Sequence, residues 1–218
     1  QFTTYLTLIL EKEGKLSIND DISKYLPELK KLPYKISIKQ LTNHTHGLPN
    51  VDELASLKSV SNMSHKDVVA MALKIKEVNF KPGEQYQYGN TGYVLLSEII
   101  KRVGKDSFEN QLKEKVFLPL EMKSTNAIGF QTSIVTNKAK SYRILNGKYV
   151  YNPEVLNTMG SSGVFTTIND LILWAKNFKK TVVGGSNFYN RMQKPTILNS
   201  GKRIQYGLGL QFDTYKGK

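Results

Sequence analysis

The chain has 218 residues, of which 39% are hydrophobic and 22% charged, a balance that supports a packed core and excludes wholesale disorder. Cysteine is absent, which excludes disulfide scaffolds, cysteine-ligated zinc, iron–sulfur clusters and a cysteine nucleophile. Thirty-one Lys and Arg against 18 Asp and Glu leave a net charge of +13, which favours anionic surroundings: nucleic acid, an acidic envelope polymer or a membrane surface.

No apolar run reaches the roughly 18 residues that a membrane-spanning helix needs, and no signal peptide is visible. From the first residues, Phe2, Leu6, Ile9 and Leu10 sit at helical spacing, with Gly14 as the stop. No capping residue precedes this helix, so the chain is read as cut at its start, and a turn at Lys218 reads as cut at its end. A short helix is expected over Ile22 to Leu26, ended by Pro27. Ile36 to Ile38 alternates, and Lys39 to Thr42 leads into a loop, His44-Thr-His-Gly-Leu-Pro49. Ser64 to Ile75 forms an amphipathic pattern, with Ser64 and Asp67 placed as a cap and its partner.

Phe80 to Gly83 is a turn, and Glu84 to Asn90 is tyrosine-rich and extended. Helical spacing returns at Thr91 to Val103, stopped by Gly104, and again at Phe108 to Phe117, ended by Pro119. Ala139 to Leu145 and Lys148 to Tyr151 flank Asn146-Gly147, a dipeptide suited to a two-residue hairpin turn because both positions need positive φ. Thr167 caps a helix running to about Phe178, with Asp170 placed near its positive end and Trp174 in the core. Arg203 to Phe212 reads as a strand interrupted by Gly207 and Gly209.

Tyr88-Gly-Asn90 is the pair most suited to chemistry. Twelve tyrosines and 17 asparagines predict about one Tyr-x-Asn by chance, and one is present, so its setting carries the weight. It follows a Pro-Gly turn and precedes a helix. On an extended segment, residues two apart point to one side, so one site sees a phenol and an amide together. A phenol of pKa near ~10 serves as a base at neutral pH only where nearby cations lower that value.

Three motifs in this order resemble the serine β-lactamase-related family: His44-Thr-His-Gly-Leu-Pro49, Pro82-Gly-Glu-Gln-Tyr-Gln-Tyr-Gly-Asn-Thr-Gly-Tyr93 and Gly160-Ser-Ser-Gly-Val-Phe-Thr-Thr-Ile-Asn-Asp-Leu171. That family includes class C β-lactamases, D-Ala-D-Ala carboxypeptidases, esterases and D-amino-acid peptidases. Gly14-Lys-Leu-Ser17, Phe117-Leu-Pro-Leu-Glu-Met122 and Tyr206-Gly-Leu-Gly209 extend the resemblance over nearly the whole chain.

The resemblance implies an α+β fold, a helical region with an antiparallel sheet flanked by helices. Residues 1–218 would form one partial domain of it, mostly the helical region, with a hairpin near 139–151. It implies that Tyr88 is the catalytic base of serine acyl transfer and that Asn90 binds the substrate amide. It also implies a small-molecule or peptidoglycan-like substrate, no cofactor and an extracytoplasmic location.

Two of the family's motifs are missing. No serine has a lysine three residues on, and neither Lys-Thr-Gly nor His-x-Gly occurs. By resemblance, the Ser-x-x-Lys falls just before Gln1 and the third motif beyond Lys218. The chain alone is therefore expected to be inactive, with an apolar helix face uncovered.

Other residues have plainer readings. Ser161 and Ser162 lack a nucleophile elbow and read as a tight turn. His44 and His46 have ligand-like spacing, but no third ligand pattern accompanies them; a structural His44 and an exposed His46 are expected, with no metal. His65 is expected on a solvated helix start. The Lys30-Lys31 and Lys179-Lys180 pairs carry no nucleic-acid motif, so no nucleic-acid partner is expected, whereas association with an anionic cell envelope fits the charge. A non-catalytic envelope-binding relative is the alternative to an enzyme.

Overall fold

The computed structural model describes residues 1–51, 63–129, 134–152, 158–214 and 216. The turn expected at Lys218 lies outside them. The fold is mixed α+β. Among the described residues, helices α1 (Phe2–Lys12), α2 (Ile38–Thr42), α3 (His65–Ala72), α4 (Thr91–Gly104) and α5 (Phe108–Leu112) come first, four short strands follow, and α6 (Ile168–Lys179) and α7 (Phe188–Met192) come after them. Strand β1 (Asn126–Ala127) pairs antiparallel with β4 (Val164–Phe165), and β2 (Tyr142–Leu145) pairs antiparallel with β3 (Lys148–Tyr151).

Helix α1 is the centre. Phe2 through Leu10 are all buried, so this helix is enclosed rather than amphipathic. It packs on α4 and α5. An aromatic cluster covers its other side: Phe2 and Tyr5 lie 4.6 and 4.8 Å from Trp174 on α6, ring to ring. Trp174 is core, and its indole N–H donates to Gln1 Oε1 at 3.0 Å. Burial of such a ring is worth about 3–5 kcal/mol against alanine. On the opposite side of α6, Ile168 and Ile172, four residues apart, stay exposed.

The caps follow from residue chemistry. Ser64 and Asp67 form a reciprocal capping box on α3, and Thr167 Oγ1 accepts the Asp170 N–H on α6. Asp170 turns inward: its carboxylate accepts the Ser124 N–H at 2.8 Å and the Thr125 hydroxyl at 2.7 Å, tying α6 to the turn before β1. The Asn146-Gly147 turn has φ of 50° and 75°, as a type I′ hairpin requires.

Several local expectations are corrected. Ile22 to Leu26 is not one helix: Pro27 removes a donor, and two 3₁₀ turns form at Ile22–Lys24 and Pro27–Leu29. Ser37 does not continue an alternating segment; it caps α2 in a box with Gln40. The α-helix from Phe108 ends at Leu112, and Lys113–Phe117 widens to a π-turn.

Gly104 is not the left-handed stop of α4. That position is Lys105, with φ of 56°, while Gly104 is helical and makes room for Gln111. A Cβ there would stand 1.9 Å from Gln111 Oε1. Arg203 to Phe212 is not a continuous strand. Gly209, with φ of 72°, folds the segment back so that Gly207 N–H donates to Leu210 O, leaving isolated bridges between Tyr206 and Gln211 and between Arg203 and Ile197. His65 is half-buried rather than solvated: Nδ1 accepts the Met159 N–H at 3.1 Å.

Candidate active site

Backbone bonds to the histidine loop hold the Tyr88 segment in place. Gln87 N–H donates to His44 O at 3.0 Å, Gly83 N–H to Thr45 O at 2.8 Å and Asn79 N–H to Gly47 O at 2.7 Å. Gly47 permits this approach, because a Cβ would lie 2.0 Å from the Phe80 carbonyl oxygen and the residue has φ of 74°. Where α4 begins, Asn90 N–H donates to Asn50 Oδ1 at 3.0 Å. Thr91 Oγ1 donates to Pro49 O and accepts the Val51 N–H, at 2.7 and 2.8 Å. The loop and the start of α4 therefore form one unit.

Tyr88 and Asn90 line one cleft of about 270 Å³ together with Gln1, His44, Ser161 and Tyr206. Tyr88 is 62% exposed. Its ring centroid lies 4.4 Å from that of His44, which in turn stacks on Tyr93 at 5.1 Å. None of the described residues lining the cleft has a charged side chain.

His44 is the hub. Its Nδ1 accepts the Gly89 N–H at 3.4 Å, so the ring proton sits on Nε2 and donates to the Tyr206 hydroxyl at 3.1 Å. Beside it, the Tyr93 hydroxyl donates to Thr42 O at 2.8 Å. The Thr4 hydroxyl closes on Tyr93 at 3.1 Å, and Gly209 N–H reaches the same Thr42 carbonyl at 3.1 Å. The bond to Tyr206 uses His44 as a neutral donor. Burial keeps it neutral, lowering its pKa to about 4, opposed by the Gly89 bond. Burial also raises the phenols of Tyr93 and Tyr206, which stay protonated.

His46 corrects the expectation of exposure. It is buried, accepts the Leu48 N–H on Nδ1 at 2.9 Å, and burial lowers its pKa to about 3. Its Nε2 faces Gly92 of α4, where a Cβ would stand 2.9 Å away; glycine gives the ring its space. Among the described residues, no group of three or more His, Asp or Glu side chains could hold a metal ion.

Ser161 lines the cleft, and its hydroxyl bonds Thr158 Oγ1 at 2.8 Å, while Ser162 Oγ donates to Thr158 O at 2.5 Å. Neither has a histidine, lysine or carboxylate among these partners to act as base. Their loop is pinned at Gly160, whose carbonyl accepts the Thr3 hydroxyl at 2.6 Å and where a Cβ would strike Tyr93 O at 2.3 Å. The expectation of a structural His44 agrees with its burial and bonds, whereas the sequence reading missed Tyr93 and Tyr206 as its ring neighbours. The only signal was the presence of these residues within motifs already noted.

Among the described residues, no helix is long and apolar enough to cross a membrane. The protein flp of Staphylococcus aureus (strain MRSA252) is 32% identical over 187 residues, covering 80% of this chain and 36% of the relative. Penicillin-binding protein 4* of Bacillus subtilis (strain 168) is 30% identical over 241 residues, covering 100% of this chain and 52% of the relative. The chain thus spans about a third to a half of the length of these curated relatives. The structure of the octameric penicillin-binding protein homologue from Pyrococcus abyssi superposes with a TM-score of 0.82 at 24% identity, covering 99% of this chain and 52% of that one. The family model described as Beta-lactamase matches residues 1–218, and this chain belongs to that family.

Proposed function

We propose that this chain is the central part of a serine hydrolase or acyltransferase that acts on a β-lactam, a peptide ending in D-amino acids or an ester. The observation that carries the reading is the shared cleft of Gln1, Tyr88 and Asn90. A Ser-x-x-Lys immediately before Gln1 would enter that cleft. Its lysine would supply the cation that the cleft lacks, favouring the phenolate of Tyr88. Tyr88 would take the serine proton as Oγ adds to the substrate carbonyl, then return it to the leaving nitrogen or oxygen. A water activated by the same phenolate would release the acyl group. Asn90 would hold the substrate amide. On this reading the chain by itself is inactive, and the enzyme works outside the cytoplasm on a small or peptidoglycan-like substrate, without a cofactor.

The +13 charge favours a second reading, a non-catalytic relative that binds anionic envelope polymers. One experiment separates them. The intact mass of the full-length protein is measured before and after treatment with a penicillin or a fluorophosphonate. A stoichiometric adduct on a serine upstream of Gln1 supports the enzyme. A folded full-length protein that stays unmodified by both probes leaves the binder.

A further inference from the structure

We propose that the β2–β3 ribbon docks on the surface of an anionic lipid bilayer. In this antiparallel pair, Tyr142 stands opposite Tyr151 and Ile144 opposite Tyr149. Directly opposed residues share a face and alternate along the strand, so these four side chains form one continuous patch. They are 56%, 61%, 67% and 78% exposed for Tyr142, Tyr151, Ile144 and Tyr149. An isolated two-stranded ribbon is marginal in water, so an uncovered apolar face on one asks for a partner.

Charge identifies that partner. Between Glu121 and Glu154 the sequence has Lys123, Lys138, Lys140, Arg143 and Lys148 and no carboxylate. Lys140, Arg143 and Lys148 are exposed on or beside the ribbon. Arg143 and Lys148 belong to the face opposite the patch, and their long side chains can reach round to headgroups. Tyrosine suits the boundary between headgroup and acyl chain, with an apolar ring and a polar tip. Ile144 offers nothing to a sugar hydroxyl but gains from contact with acyl chains, which favours lipid over an anionic glycan. This inference is independent of the catalytic reading, because none of these residues lines the cleft.

The test is co-sedimentation of the full-length protein with vesicles of phosphatidylcholine, alone or with phosphatidylglycerol as the minor lipid. Binding is expected only with the anionic lipid. The triple variant Lys140→Gln, Arg143→Gln, Lys148→Gln should bind about a hundredfold more weakly. Ile144→Ser with Tyr149→Ser should bind about tenfold more weakly at unchanged charge. All substituted side chains are exposed, and circular dichroism with thermal melting verifies folding. Equal binding to neutral vesicles, or no binding to either, overturns the proposal. So does full retention by the Ile144 and Tyr149 variant, which would reduce the effect to unspecific attraction of a basic protein. Loss of self-association in that variant on size exclusion, with vesicle binding unchanged, would assign the face to a second copy instead. Saturable binding to soluble anionic glycan, lost in the same variant while vesicle binding persists, would assign it to a saccharide.

Discussion

The ring of His44 lies 4.4 Å from the ring of Tyr88, and the same imidazole, through Nε2, is 3.1 Å from the hydroxyl of Tyr206. The exposed phenol therefore rests on a buried group whose own orientation is fixed from behind. On the proposed mechanism this separates two kinds of damage. Tyr88→Phe removes one hydroxyl from a largely exposed ring, so the full-length variant should lose about 10²-fold or more in acylation rate while its melting temperature hardly moves. Stopped-flow acylation with a chromogenic ester, paired with a thermal melt, checks it. Equal loss in both would make Tyr88 a packing residue.

His44→Phe should behave differently. It retains an aromatic ring but strands the buried Tyr206 hydroxyl and the Gly89 N–H without their partner. Each such loss costs roughly 1–3 kcal/mol. Chemical denaturation should show a loss of about 2 kcal/mol or more, and acylation should fall along with stability. A variant as stable as the parent would show that the hydrogen-bond chain contributes little.

The two loop histidines also set the response to acid. Their folded-state pKa values, about 4 for His44 and about 3 for His46, lie below the unfolded value near 6.5. Below about pH 6.5 the unfolded chain binds protons that the folded chain does not, so stability falls as pH falls. The His44 share is present in full above about pH 6.5 and is lost by about pH 4, amounting to about 3 kcal/mol. The His46 share continues to be lost down to about pH 3. Proton NMR should show both imidazoles failing to titrate between about pH 8 and 5 while the protein stays folded. Titration near the ordinary histidine value would contradict their burial as neutral groups.

Gly104→Ala makes a sign prediction. Helix propensity alone favours alanine by about 1 kcal/mol. The added Cβ would instead meet Gln111 Oε1 at 1.9 Å. Gln111 is buried and donates through Nε2 to Ile100 O at 3.0 Å and Asp106 O at 2.8 Å, which binds α4 to the start of α5. Gly104→Ala should therefore destabilise, and Gln111→Ala should remove most of that penalty in the double variant. Denaturation midpoints of the four proteins suffice; a stabilising single variant would refute the packing argument.

These cases show what was legible in the chain. Elements set by local chemistry could be read directly: Ser64 with Asp67, Thr167 ahead of α6, and Asn146-Gly147 at the ribbon turn. The Tyr88 and Asn90 pair could be placed on one cleft because an extended segment after a Pro-Gly turn fixes the side on which both lie. What could not be read depended on distant neighbours. Gly104 looks like a stop in sequence, but its smallness is required by Gln111 from the next helix. His46 looks like an exposed polar residue in a loop, but Gly92, half a helix turn into α4, opens the space that buries it. Arg203 to Phe212 has strand-like residues, yet Gly209 is turned by its approach to Thr4 and Tyr93, where a Cβ would lie 2.6 and 3.0 Å from their oxygens. The support chain behind Tyr88 was hidden for the same reason, since its members come from separate segments.

The distances along the chain have a consequence for how the molecule is made. The His44–Tyr206 bond joins residues 162 positions apart, and the Thr3–Gly160 bond joins residues 157 apart. Closing loops of that length carries an entropic cost before any contact compensates for it, and such pairings form slowly. During synthesis, α1 and the histidine loop leave the ribosome long before Tyr206 does. Until then the Tyr88 segment can bond to the loop, but the imidazole under it has no acceptor for its proton. The cleft is accordingly among the last parts to acquire its shape, and a nascent chain spends most of its elongation with an enclosed helix, α1, still waiting for the residues that will enclose it.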